Sequence, residues 1–259
     1  MSEKKPALWL RIYTFLVYVY IYIPILILVI FSFNTQRLNI RWEGFTLAWY
    51  DKLFHDSQVL LATRNTLLIA FISTLAATII GTMAALALQR YRFPGYNLSE
   101  TVLYIPVVIP EVVMGISLLA FFAMIKFTLG LATITLSHIA FNIPFVALVV
   151  RARLHGFDKS IEEASMDLGA NELVTFWRVT LPTIMPGVLS GAMLAFTLSL
   201  DDYVITYFTA GPGSTTLPLR IFSMVRFAVT PEVNALSTIW VMIVFILLFI
   251  GEYARRRRA

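Results

Sequence analysis

Long stretches of this chain carry no formal charge. Asp, Glu, Lys and Arg are all absent from residues 12–36, 65–89, 127–150 and 179–200. An α-helix needs about 20 residues to cross a hydrocarbon core of about 30 Å, and each run is at least that long. Four such runs in a chain of 259 residues are not the signature of a soluble core. The pattern predicts an all-α, polytopic membrane protein. Shorter polar interruptions extend the reading to six spans, over residues 12–33, 65–89, 100–125, 131–150, 186–210 and 233–253. The first follows Lys4, Lys5 and Arg11, as a signal peptide would. Its apolar stretch exceeds the 7–15 residues of a signal core, and no small-residue cleavage site follows, so it reads as an uncleaved helix. The third span contains Pro106, Pro110 and Glu111, and the fifth contains the stretch SLDDYV at residues 199–204.

Composition sharpens this picture. Hydrophobic residues make up 59% of the chain and charged residues 14%, against the roughly 25% charged residues of ordinary soluble domains. The net charge of +5 does not point to nucleic acid, because the basic residues flank the apolar runs and four arginines follow the last one. With both termini inside, 13 of the 20 Lys and Arg residues fall in inner segments, the asymmetry expected for that orientation. The outer segment 34–64 then holds Trp42, Trp49 and Tyr50, residue types that suit a membrane–water interface. Zero cysteines exclude disulfides and thiolate chemistry. His55, His138 and His155 are scattered, belong to no metal-spaced cluster and read as ordinary packing or surface residues. GPGSTT, in the outer segment 211–232, is a turn signal. It lacks the lysine of a phosphate loop, so the chain itself is not expected to hydrolyse ATP.

The inner segment 151–185 carries detailed helix punctuation. Ser160 followed by Glu163 fits a reciprocal capping box, with Asp158 as an alternative cap. Gly169 suits the left-handed residue that ends a helix. Asn171 suits the cap of a second short helix through Trp177, and Pro182 falls where continuation is difficult. The expectation is a helix–turn–helix lying at the cytoplasmic face, either as a docking surface or as a connector whose Glu163 caps its own helix.

EASMDLG at residues 163–169, followed by VTLP at 179–182, resembles the cytoplasmic signature E-A-A-x-x-x-G-x9-I-x-L-P of importer permeases driven by ATP-binding-cassette subunits. Glu163, Ala164, Gly169, Leu181 and Pro182 match at the family spacing; Ser165 and Val179 depart from it mildly. IYIPILILVIFSFN, FTLSLDDYVITYFTAGPG and PEVNAL extend the likeness over nearly the whole chain, to the C-type membrane subunit of polyamine (spermidine/putrescine) importers. The resemblance implies a six-helix type I importer permease of the bacterial inner membrane. It implies a second homologous permease subunit, a cytoplasmic ATPase dimer that holds ATP and magnesium, and a periplasmic polyamine-binding protein. This chain is expected to bind no cofactor of its own. Glu162, Glu163, Ala164, Asp167, Leu168 and Gly169 become the expected ATPase contacts.

Apart from Glu100 and Glu252 at span ends, the acids within the spans are Glu111, Asp201 and Asp202. An ionised Asp at the centre of a membrane helix costs about 2.5–3.5 kcal/mol on insertion scales, so such residues normally face a cavity and mark a functional path. On continuous helices Glu111 would lie about 16 Å and Asp201 about 22 Å from the inner end. Asp201 and Asp202 would point about 100° apart, while Tyr203 and Tyr207 would share a face. A polyamine has ammonium groups on an apolar chain, which carboxylates and aromatic faces both suit. Glu111, Ser199, Asp201, Asp202, Tyr203 and Tyr207 are therefore the expected cargo path, with Trp49 at its outer side. The alternatives are pairing of either aspartate with a polar neighbour, satisfaction of Glu111 by backbone N–H groups near Pro106 and Pro110, and simple interfacial anchoring by Trp49. Another small organic cation is an alternative cargo, and a proton-coupled carrier an alternative machine.

Overall fold

The computed structural model describes residues 8–37, 41–227 and 229–256. Lys4, Lys5, Arg257 and Arg258, read above as charged flanks of the first and last spans, lie outside the described residues. Among the described residues twelve α-helices follow one another: α1 (Leu8–Phe31), α2 (Ala48–His55), α3 (Ser57–Arg90), α4 (Tyr96–Val108), α5 (Glu111–Met124), α6 (Leu131–Leu154), α7 (Ser160–Asp167), α8 (Glu172–Thr175), α9 (Leu181–Asp201), α10 (Val204–Thr209), α11 (Leu217–Phe227) and α12 (Pro231–Arg256). A π-helical turn over Phe176–Thr180 joins α8 to α9. The β structure among the described residues is one isolated antiparallel bridge between Asn34 and Phe45.

By length and composition, four stretches among the described residues are suited to cross a membrane: Leu8–Phe31, Ser57–Arg90, Leu131–Leu154 and Glu172–Asp201. The pair α4–α5 makes a fifth if it is one broken span. α12 is 26 residues long.

Two of the expected spans are interrupted. The segment 100–125 is not one helix: the chain bends by 112° between α4 and α5. Pro110 cannot donate a backbone hydrogen bond and disfavours helical geometry at the residue before it. Ile109 is accordingly extended, at φ −72° and ψ 135°. Glu111 thus opens a new helix instead of sitting part-way up a long one. The segment 186–210 is also broken. α9 ends at Asp201, Asp202 is extended at φ −62° and ψ 120°, and α10 begins at Val204. The 100° offset expected between the two aspartates does not apply, because the helix stops between them.

Pro182 does not end its helix, contrary to expectation. The preceding turn is π-helical, and the Leu181 N–H donates to the carbonyl of Phe176, five residues back. This wider turn relieves the clash that a proline makes with the carbonyl four residues before it.

The chain divides into two compact units, residues 1–60 with 221–259, and residues 61–220. In the first, α12 packs against α1 and α2. Lys52 Nζ lies 2.6 Å from Glu232 Oε2 and ties α2 to the first turn of α12. Asn34 is fully buried: its amide donates to the Arg41 carbonyl at 2.7 Å and accepts from the Glu43 N–H at 3.0 Å. Nothing on α1 is buried within the chain. Its apolar side chains therefore suit contact with lipid or with other membrane helices.

In the second unit α6 is the central helix, packed along α9 and against α4 and α10. The core is built largely from small residues: Ala77, Ala85, Val146, Ala147, Val150, Leu154, Ile184, Val188 and Ala195. Apolar side chains gain little by leaving lipid, so membrane helices associate by close packing of small residues. Gly81 of α3 and Gly191 of α9 both approach Val146. A Cβ at Gly81 would lie 2.8 Å from the Val146 Cβ, and one at Gly191 would lie 3.3 Å from its Cγ1.

Candidate functional site

The break between α9 and α10 lies beside a buried polar cluster. Asp202, nearly inaccessible, accepts from the N–H and the hydroxyl of Thr206 at 2.8 and 2.6 Å and from the Ile205 N–H at 3.3 Å. These bonds satisfy first-turn donors of α10, as a capping side chain does. His138 of α6 is 2% exposed. Its Nε2 lies 3.1 Å from Asp202 Oδ2 and 3.0 Å from Thr206 Oγ1. An ionised carboxylate only accepts, so Nε2 is the donor to it. The other ring nitrogen, Nδ1, lies 2.6 Å from Ser199 Oγ, which is 3.1 Å from Ser73 Oγ on α3. The cluster thus joins α3, α6, α9 and α10.

The two aspartates have different surroundings. Asp202 is enclosed and hydrogen-bonded, whereas Asp201, the last residue of α9, is exposed. Among the described residues Asp201 has no ion-pair partner. Glu111, also exposed, stands at the N-terminus of α5, where the helix dipole favours a negative charge. α5 packs against α10 so closely that a Cβ on Gly115 would lie 2.6 Å from the Phe208 ring. Tyr203 and Tyr207 have ring centroids 5.7 Å apart, and Tyr207 is exposed. Asp201, Glu111 and Tyr207 are thus exposed polar groups of one structural unit, whereas Ser199 and Asp202 belong to its buried cluster. Trp49 lies in the other unit, where its indole N–H donates to the Asn34 carbonyl at 2.8 Å and Lys52 Nζ sits 5.9 Å from its ring centroid.

His138, read from sequence as an ordinary residue, is central to this cluster. A signal was available: it is an ionisable side chain in the charge-free run 127–150, and such a residue needs a partner in the membrane.

The loop helices form a second region. Asp158, rather than a Ser160–Glu163 box, caps the start of α7: its carboxylate accepts from the Ser160 N–H at 3.0 Å. Hydrogen bonds from the Ser160 backbone and side chain hold the Asp158 carboxyl below the usual carboxylate range. Gly169 takes the left-handed conformation at φ +92°, and Asn171 caps α8 by accepting from the Val174 N–H at 2.8 Å. Glu163, Ala164, Asp167, Leu168 and Gly169 are exposed, Leu168 at 90%. Leu173 and Trp177 add to this exposed apolar surface. A cleft of about 400 Å³ between α7 and the following helices is lined by Ile161, Ala164, Leu168, Val174 and Arg178, among others. Glu162 differs from its neighbours. Its carboxylate is engaged within the chain by Arg90 and by the Thr180 hydroxyl.

The chain is 42% identical over 245 residues to the spermidine/putrescine transport system permease protein PotC of Haemophilus influenzae, covering 95% of each chain. It is 44% identical over 234 residues to the putrescine transport system permease protein PotI of Escherichia coli, covering 88% of this chain and 83% of that one. Among solved structures, one chain of a bacterial ABC transporter involved in the import of the acidic polysaccharide alginate superposes with a TM-score of 0.75 at 18% identity. That match covers 96% of this chain and 95% of the other. Residues 77–256 match the model of the binding-protein-dependent transport system inner membrane component family. With its apolar spans and these relatives, the chain belongs to that family, as a multi-pass permease of the inner membrane and not an enzyme.

Proposed function

We propose that this permease carries putrescine and spermidine, and that Asp201, with Glu111 and Tyr207, lines the cargo path. The observation that carries the reading is the contrast between the two adjacent aspartates. Asp202 is already satisfied inside the protein, whereas Asp201 is exposed in an apolar chain and has no cation of its own among the described residues. The names of the PotC and PotI relatives support a polyamine as the missing cation.

The chemistry is compatible with transport rather than storage. An exposed carboxylate pairs with one ammonium group, and the Tyr207 face accepts another through a cation–π contact worth about 0.5–1 kcal/mol at exposed sites. Such contacts hold a diamine transiently and release it. The chain would cross the membrane six times with both termini cytoplasmic, consistent with its excess of inner lysine and arginine. A second homologous permease would supply the other half of the path, and a periplasmic binding protein would deliver the cargo. An ATPase dimer carrying ATP and magnesium would meet the exposed face of α7, through Glu163, Ala164, Asp167, Leu168 and Gly169. Leu168 at 90% exposure supports a protein partner there, because a fully solvated leucine beside other apolar side chains favours docking.

The test is ATP-dependent uptake of labelled putrescine and spermidine by the whole complex in proteoliposomes. Asp201→Asn should raise the KM for both cargoes while the ATPase remains bound. Unchanged uptake kinetics in that variant would remove Asp201 from the path. Competition by other organic cations at equal potency would remove the polyamine assignment.

A further inference from the structure

The side chain of Glu162 sets it apart from the rest of α7. Glu163, Ala164, Asp167 and Leu168 face outward, but the Glu162 carboxylate turns inward and is half-buried. It meets the guanidinium of Arg90, the last residue of the 34-residue helix α3. It also accepts from the hydroxyl of Thr180, which is fully buried at the end of the π turn. Arg90 in turn lies 3.4 Å from Thr180 Oγ1, closing a triangle. A second, weaker tether joins Ser165 Oγ of α7 to Thr175 Oγ1 of α8 at 3.2 Å. The triangle therefore connects α7 to two long helices at once: α3 directly, and α9 through the turn that precedes it.

We infer that Glu162 is a positioning residue that passes movement of α7 to α3 and α9. The inference rests on the proposed docking of the ATPase on the exposed face of α7. Three observations carry it. Arg90 and Glu162 are only partly exposed, so solvent screens the pair less than a surface ion pair. The carboxylate has two partners on two different elements, so displacing α7 must move both or break both bonds. The element on which Thr180 sits is a π turn, a departure from regular helix that is frequent at functional sites. Glu162 need not touch the ATPase in this role: Glu163, Asp167 and Leu168 take the contact, and Glu162 makes the loop and the membrane helices move together.

The experiment uses the complete complex in proteoliposomes, with labelled putrescine. Two quantities are read: ATPase retained on purification, and putrescine transported per ATP hydrolysed. Glu162→Gln and Arg90→Glu should each retain the ATPase but lower the transport ratio about fivefold or more, the effect of losing a coupling free energy at the low end of the usual range. The exchanged pair Arg90→Glu with Glu162→Arg should recover most of the ratio, which a merely structural loss would not allow. Loss of the ATPase from Glu162→Gln would make Glu162 a docking contact and overturn the inference. So would an unchanged ratio in both single variants, or poor single variants that the exchange fails to rescue. Leu168→Asp separates the two readings. It should detach the ATPase, and if it does not, the docking proposal fails independently of the outcome at Glu162.

Discussion

Replacing Asp202 and Asp201 in turn should give opposite phenotypes. Asp202→Ala removes four hydrogen-bond contacts, to the Thr206 N–H and hydroxyl, the Ile205 N–H and His138 Nε2. Side-chain hydrogen bonds in membrane bundles are worth about 0.6 kcal/mol each, giving about 2 kcal/mol for the set. Depriving the buried His138 ring of its carboxylate adds about 1–3 kcal/mol. The total, about 3–5 kcal/mol, is at the large end of what single substitutions cost. At 2–4 °C per kcal/mol for a chain of this size, the unfolding midpoint should fall by roughly 6–20 °C. Asp201→Ala removes no such contacts and should change stability by about 0.5 kcal/mol or less, as exposed substitutions do. It should instead raise the KM for uptake. Scanning fluorimetry of the purified complex measures the first effect and transport in proteoliposomes the second. A native-like midpoint in Asp202→Ala together with lost uptake would show that the buried aspartate, not the exposed one, meets the cargo.

Three shorter predictions follow from local geometry. Gly115→Leu should separate α5 from α10, because its Cβ alone would lie 2.6 Å from Phe208; overpacking of this kind costs about 1–3 kcal/mol, and the unfolding midpoint should report it. Asn171→Ala loses the bond to the Val174 N–H and should cost about 1 kcal/mol, visible as faster hydrogen exchange in residues 172–175. Gly169→Ala meets open space but a positive φ of +92°, so it should lower the midpoint by strain alone, at about 1–2 kcal/mol, and Gly169→Asn should be milder.

What the sequence disclosed depended on the range of the interaction. Long helices over most of residues 12–33 and over 65–89 and 131–150 were legible because a charge-free apolar run of that length can satisfy its backbone within one helix. Gly169 and Asn171 were legible because a turn glycine and a helix cap act within three residues. The break at Asp202 was not: Asp202 caps α10 locally through Ile205 and Thr206, but its buried partner His138 lies 64 residues away, and an apolar count registers none of these bonds. The bend at Pro110 was half legible: proline predicts an interruption, but not its 112° angle. Pro182 misled for a different reason. Its rule assumes a regular α-helical ladder, and the chain changes the ladder instead. Glu162 and Glu163 are neighbours of identical chemistry, and only the arrival of Arg90 and Thr180 from distant segments distinguishes them.

The π turn also fixes something that composition does not. It holds one residue more than a regular turn would, between α8 and a helix of 21 residues that runs to Asp201. Each residue of an α-helix advances the side-chain direction by about 100°. Deleting one position within residues 176–180 would leave every later side chain chemically unchanged but rotate α9 about its axis by that angle relative to α7. Ser199 would leave the face that meets His138, and Asp201 would swing to a different neighbour. The count of residues in this turn is therefore a phase setting between the loop and the membrane, and single-residue insertions or deletions here should be far less tolerated than substitutions at the same positions.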